Sequence, residues 1–237
     1  MALSGQSGPR QPFLRAPGVV IGLIVVLLGA HAARVLVWPD SSAVLIRLYA
    51  LFPSRYSRTF LEGHFPPADP GNIFDRAVPF VSYQFLHANW SHVLINSVWL
   101  LAFGPVVARR FGPLLFLAFF LICGVAGGIA HLILYWGNDV PVIGASGAIA
   151  GLMAAAFRML LPSADQRLAP ILSPRILLWS GLWIGLNAVA ALTGFGTGGE
   201  VQLVAWDVHL GGYLAGLLLA GPFDFMGRRR ATAGLPT

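Results

Sequence analysis

No lysine occurs in this chain, so all 15 of its basic side chains are arginines. Charge of either sign is scarce: 10% of the 237 residues are charged, where a soluble domain carries about a quarter. With 57% hydrophobic residues and a mean hydropathy of +0.74, that deficit excludes an ordinary water-soluble domain. The single cysteine, Cys123, excludes an intrachain disulfide and leaves the redox compartment unmarked. There is no His-Glu-x-x-His and the six histidines are scattered, so nothing points to a metal or another cofactor. No internal repeat is visible, which argues against the paired half-structures of a small-solute transporter.

What the chain does have is long apolar runs. Gly18–Val37, Leu114–Trp136 and Val204–Phe223 each reach the roughly 20 residues needed to cross a hydrocarbon core about 30 Å thick. Val93–Ala108, Ile143–Leu161 and Ile176–Leu192 are shorter and complete a set of six. The expected architecture is an all-α polytopic membrane protein, a bundle of six transmembrane helices. Its core covers residues 17–224, with an outer loop over 39–85, a disordered tail over 1–16 and a basic, disordered tail over 225–237. The first run is too long, and lacks a cleavage site, for a removable signal peptide, and is expected to be a retained helix. Within the outer loop, the apolar stretch Ser42–Phe52 between Pro39 and Pro53 is expected to lie in the membrane interface, and Pro66–Asn72 to be irregular.

The arginines orient the bundle. Arg10 and Arg15 precede span one, Arg109 and Arg110 follow span two, and Arg158, Arg167 and Arg175 lie between spans four and five. Arg228–Arg230 follow span six, whereas the loops after spans three and five carry Asp139 and Glu200 instead. Both termini are therefore expected in the cytoplasm. This arrangement explains the net charge of +6 and the pI near 10.4 without a nucleic-acid partner.

Polar groups inside spans are costly and call for explanation. His31 and Arg34 in span one, and His131 in span three, are expected to be interfacial side chains, Arg34 snorkelling to the outer surface. The even-numbered spans differ, because all three run in the same direction. Counting back from Arg158, Phe223 and Arg109 at about 1.5 Å per residue puts Ser146, His209 and Asn96 at one level, roughly 18 to 21 Å from the cytoplasmic end. Small residues at Gly147 and Gly151 on span four and at Gly212 and Gly216 on span six permit close helix approach. Ser146 then comes within reach of His209. Spacing alone also permits a plain packing seam, with Ser146 bonded to a backbone carbonyl.

Three motifs go further. Gly144-Ala145-Ser146-Gly147, the segment His87-Ala-Asn-Trp-Ser-His92-Val-Leu-Ile-Asn96, and His209 with Gly212 and Gly216 together resemble the rhomboid family of intramembrane serine proteases. The likeness runs from about Phe85 to Phe223, with the motifs in family order on spans two, four and six. It implies that Ser146 is the nucleophile and His209 its general base. His92, Asn96 and the Ser146 backbone N–H would form the oxyanion hole, with Gly144 in the same binding set. It also implies transmembrane protein substrates met within the lipid bilayer, and a multi-pass protein of a bacterial inner membrane. A catalytically inactive relative that binds membrane clients is the alternative, although it would ordinarily have lost Ser146 or His209.

Two positions depart from the family pattern. Val78-Pro79 stands where many members carry Trp-Arg in the first loop, and Ala150 stands where a tyrosine often stacks on the catalytic histidine. Tyr213, one turn after His209, is the candidate to hold that ring instead. Trp179 and Trp183 on span five are candidates for a lateral gate. Asp207 is expected to cap span six or to meet water rather than to complete a triad, since residues two apart on a helix face away from each other.

Overall fold

A computed structural model describes residues 16–57, 73–161, 168–193 and 205–232; the expectations for residues 1–15, for Pro66–Asn72 and for Glu200 fall outside these. Among the described residues there are eight α-helices and a single isolated β-bridge. They are α1 (Gly18–Ala32), α2 (Ser42–Tyr49), α3 (Ile73–Ser82), α4 (Trp90–Phe111), α5 (Pro113–Leu134), α6 (Ser146–Leu160), α7 (Pro174–Thr193) and α8 (Trp206–Thr232). Six of them, all but α2 and α3, stand where the six apolar runs lie. The segments Gly18–Val37, Trp90–Phe111, Pro113–Leu134 and Trp206–Arg230 are long and apolar enough to cross a membrane.

α6 is the exception that organises the rest. Its 15 residues reach only about 22 Å at about 1.5 Å per residue, short of a hydrocarbon core about 30 Å thick. The run Ile143–Leu161 therefore supplies a helix that begins inside the bundle, at Ser146. Every residue from Gly147 to Ala156 is buried, because α4, α5 and α8 surround the helix. Glycine and alanine dominate that stretch, so neighbouring backbones come close; packing of this kind, rather than apolar burial, holds helices together in lipid.

A helix that starts at depth leaves non-helical chain before it, and such backbone is tolerated only where protein satisfies its polar groups. Val142 exchanges both backbone hydrogen bonds with Leu51 (2.9 and 3.2 Å), and Gly144 N–H donates to the Tyr83 carbonyl (2.9 Å). Outer-loop residues thus form the wall that the descending chain needs. α2 buries none of its own side chains, in keeping with the interfacial placement of this apolar stretch.

Three expectations change at the edges of the bundle. The basic tail is helical as far as Thr232, and Asp224 on α8 pairs with both Arg110 (2.6 Å) and Arg228 (2.5 Å). His31 and Arg34 do not face lipid or water: they are 1% and 5% exposed. The guanidinium of Arg34, carried in a π-helical turn over Ala33–Val37, donates to Ser42 Oγ (2.5 Å) and to the His87 carbonyl (2.6 Å). Arg34 therefore ties α1 to the outer loop and to the approach to α4, an anchoring task for which the loop has no Trp-Arg pair. His131 is buried as well, for a reason that belongs to the site.

Candidate active site

Ser146 is the first residue of α6, so its backbone N–H and that of Gly147 head the helix with no i−4 partner within it. The chain reaches this point through Gly144, whose φ of +120° few side chains adopt. A Cβ at Gly144 would also lie 2.8 Å from His92 Nε2 and 3.9 Å from Asn96 Nδ2. The missing side chain is what lets these two groups of α4 close over the backbone two residues before Ser146.

The protonation of His92 follows from its surroundings. Asn89 caps α4 by accepting from His92 N–H (2.9 Å), and the Ala88 N–H points at His92 Nδ1 (3.5 Å). A nitrogen that accepts carries no proton in the neutral ring, so Nε2 bears it and faces Gly144 as a donor. Asn96 Nδ2 donates one hydrogen to the His92 carbonyl (3.0 Å) and keeps a second. Beneath them lies His87, fully buried, its ring set edge-on to His92 with centroids 5.0 Å apart. Burial, then the imidazoles of His92 and His31, push the His87 pKa down to about 3. The neutral ring accepts from the Ala145 N–H through Nε2 (3.5 Å) and so supports the turn leading into Ser146.

α8 meets α6 backbone to backbone. A Cβ on Gly147 would be 2.7 Å from Val208 Cγ1, and one on Gly212 would be 2.0 Å from the Gly147 carbonyl oxygen. Ser146 precedes Gly147 and His209 follows Val208, so the two candidate residues flank this contact, both half-buried. Among the described residues no hydrogen bond joins Ser146 Oγ to His209; catalytic hydrogen bonds are often long until substrate binds. What does bond His209 is Asn187 of α7, whose Oδ1 lies 2.7 Å from His209 Nδ1.

That contact revises two expectations. Tyr213 does not hold His209: its ring stacks on Trp183 (centroids 4.3 Å apart, 14° between planes), and its hydroxyl bonds Ser180 Oγ (2.8 Å). Tyr213 packs in one cluster with Ala150, whose small side chain leaves that space. Trp183, expected as a gate with Trp179, is thereby an inward-facing part of the α7–α8 seam. Asn187 has no place in the three motifs; an amide in the middle of an apolar span is the sequence signal that marks it.

Asp207 neither caps in water nor reaches His209. It is 1% exposed and its Oδ2 lies 2.6 Å from His131 Nδ1, so the two buried groups answer for each other and clamp α5 to the head of α8. Asp207→Ala should destabilise the protein by about 3–5 kcal/mol, the usual cost of stranding one member of a buried pair. Asp207→Asn keeps an acceptor for His131 and should retain most turnover. Melting temperature and kcat on both variants check this; a loss on the order of 10⁴ in kcat for a folded Asp207→Asn would make Asp207 an acid that orients the base. Among the described residues no cluster of His, Cys, Asp and Glu has the make-up of a metal site.

Comparison with known proteins gives the family. A family profile described as the Rhomboid domain matches residues 75–223, well over half of the chain. Rhomboid-like protein 11, chloroplastic, of Arabidopsis thaliana is 30% identical over 141 residues, covering 59% of this chain and 50% of that protein. Rhomboid protease GluP of Bacillus subtilis (strain 168) is 28% identical over 136 residues, 57% of this chain and 24% of that protein. The chain thus spans half or less of the length of these relatives.

Proposed function

The chain belongs to the rhomboid family, and we propose that it is an intramembrane serine protease that hydrolyses peptide bonds in or beside the transmembrane segments of other membrane proteins. It is an integral membrane protein, an all-α polytopic bundle in which four of the described segments are long and apolar enough to cross a membrane; six spans are the number we propose. The proposed membrane is a bacterial inner membrane, with both termini in the cytoplasm.

One observation carries the activity. A serine heads a buried helix between a histidine, whose neighbour packs on Gly147, and two side-chain N–H donors that lie over Gly144. In the proposed reaction Ser146 Oγ attacks the scissile carbonyl carbon while His209 Nε2 takes the hydroxyl proton. The carbonyl π electrons move to oxygen, which is bound by the Ser146 backbone N–H, His92 Nε2–H and Asn96 Nδ2–H. Collapse of the tetrahedral adduct breaks the C–N bond, and His209 returns its proton to the leaving amine. Water, activated by the same base, then hydrolyses the acyl-enzyme.

His92→Ala and Asn96→Ala should each lower kcat by about 10²–10³, because donors aimed at a developing oxyanion are worth roughly 3–4 kcal/mol. KM should move little, since the charge appears only in the transition state. A change confined to KM would make them substrate-binding groups instead. The direct test of the whole reading is covalent labelling of the purified protein by a fluorophosphonate, beside cleavage of a generic transmembrane substrate in proteoliposomes. Label on Ser146 together with cleavage supports it; neither, in folded protein, leaves a rhomboid that binds clients without cutting them.

A further inference from the structure

We infer that Asn187 is a positioning residue for the proposed base: it fixes the tautomer and orientation of His209, so that the working unit is Ser146–His209–Asn187. The inference rests on the protease reading for its catalytic meaning, though not for its geometry.

The orientation of the Asn187 amide is set independently of His209. Asn187 Nδ2 donates to the Trp183 carbonyl one turn back (2.9 Å). Flipping the amide would place oxygen against that carbonyl oxygen and lose the bond. Oδ1 is therefore the atom turned toward His209, 2.7 Å from Nδ1. An amide oxygen only accepts, so His209 Nδ1 must donate to it. In the neutral imidazole the lone pair then lies on Nε2, the nitrogen that a serine base requires. Without this partner the ring could hold its proton on either nitrogen, and the tautomer protonated at Nε2 cannot act as the base.

The rest of α7 supports the same register. Ser180, Trp183 and Asn187 fall at i, i+3 and i+7, one face of the helix, opposite Tyr213 and His209 at i+4 and i of α8. The first two grip Tyr213 by hydrogen bond and ring stack, and the third grips His209. Many other α7 side chains, including Leu178, Leu182, Leu186 and Val189, are exposed. The seam between α7 and α8 is thus a two-rung ladder whose upper rung ends on the base. With Ala150 where a stacking tyrosine often stands, the ring is held at its edge by a hydrogen bond. A Ser–His–Asn unit has chemical precedent in the Cys–His–Asn arrangement of other hydrolases.

The test separates this inference from the activity. Protein carrying ¹⁵N-labelled histidine and Ser146→Ala, which cannot turn over, is compared by NMR with the same protein carrying Asn187→Leu as well. Leucine keeps the branched shape of asparagine and suits an apolar span, so the fold should survive. The expected result is an Nδ1–H tautomer for His209 with Asn187 and a shift toward Nε2–H without it. In the Ser146 protein, Asn187→Leu should lower kcat by about 10²–10⁴, the range spanned by general-base catalysis, with KM changed less than about threefold. Asn187→Asp, which keeps an acceptor for Nδ1–H, should recover most of that loss. An unchanged tautomer in Asn187→Leu would overturn the inference, as would wild-type kcat in the folded variant. Should no protein in the series cleave or take the fluorophosphonate, the protease reading fails while the tautomer still decides the role of Asn187.

Discussion

Ser146→Ala is expected to abolish cleavage and fluorophosphonate labelling while leaving the protein folded. Both halves follow from where the residue sits. As the first residue of α6 it is neither the cap nor part of the buried seam, and among the described residues its hydroxyl makes no hydrogen bond. Alanine removes one oxygen and favours the helix, so the melting temperature should stay within a few degrees. Chemically, the loss is total for the covalent route. The backbone N–H at position 146 and the side-chain N–H groups of His92 and Asn96 would still bind an oxyanion, but nothing would attack the carbonyl carbon. In soluble serine hydrolases removal of the nucleophile costs about 10⁶ in kcat, and a loss of at least about 10⁴ is expected in the bilayer. His209→Ala should match it, and the double variant should be no worse, because two groups that act as one unit are not additive. Labelling that survives in Ser146→Ala would assign the nucleophile elsewhere and remove the basis of the site.

The parts of this site that were legible in the sequence are those whose chemistry forces a residue type at a fixed spacing. Gly144, Gly147, Gly212 and Gly216 are legible because only a missing side chain permits the positive φ or the close approach seen there. Ser146, Asn96 and His209 are legible because polar groups at matched depth on parallel helices need a joint explanation, and His92 through the family motif it shares with Asn96. Partnerships across elements were not legible. His131 and Asp207 are 76 positions apart, Arg34 and His87 are 53, and each looks interfacial when read along its own helix. Depth counting places a residue along the helix axis and says nothing of which face it occupies. That is why Arg34 and His131 read as interfacial along their own helices when they turn inward. Asn187 is hidden for the same reason: its place on the α7 face with Ser180 and Trp183 does not say what that face meets, and its meaning comes from an atom 22 positions later on another helix. The start of α6 was displaced because the apolar run begins in chain that is non-helical and hydrogen-bonded to Leu51 and Tyr83.

Gly212→Ala should be more damaging than a methyl group added at any other described glycine of the α6–α8 seam. The new Cβ would lie 2.0 Å from the carbonyl oxygen of Gly147, 2.7 Å from its carbonyl carbon and 3.2 Å from the Cys123 carbonyl oxygen. All three are backbone atoms, so no rotamer change relieves the contact. α8 must instead move away from α6 by more than an ångström at the level of the site. His209 is one turn before Gly212 and Ser146 is next to Gly147, so that displacement opens the gap between base and nucleophile directly. A misplacement of about 1 Å can cost on the order of 10² in rate even when it begins outside the chemistry. Here it begins beside the reacting groups, and turnover should fall by at least that factor together with a clear loss of thermal stability. Gly216→Ala should be nearly as harmful to the fold, its Cβ lying 2.2 Å from the Gly151 carbonyl oxygen one rung further along the seam. The control sits away from this seam, on α1: a Cβ at Gly22 meets nothing within 4 Å. Gly22→Ala should therefore be neutral or stabilising by about 0.5–1 kcal/mol, as alanine is favoured over glycine inside a helix. Melting temperatures and labelling rates for the three variants decide the matter. If Gly212→Ala labels at the wild-type rate, α6 and α8 do not meet at Gly147, and the geometry that brings Ser146 beside His209 is wrong.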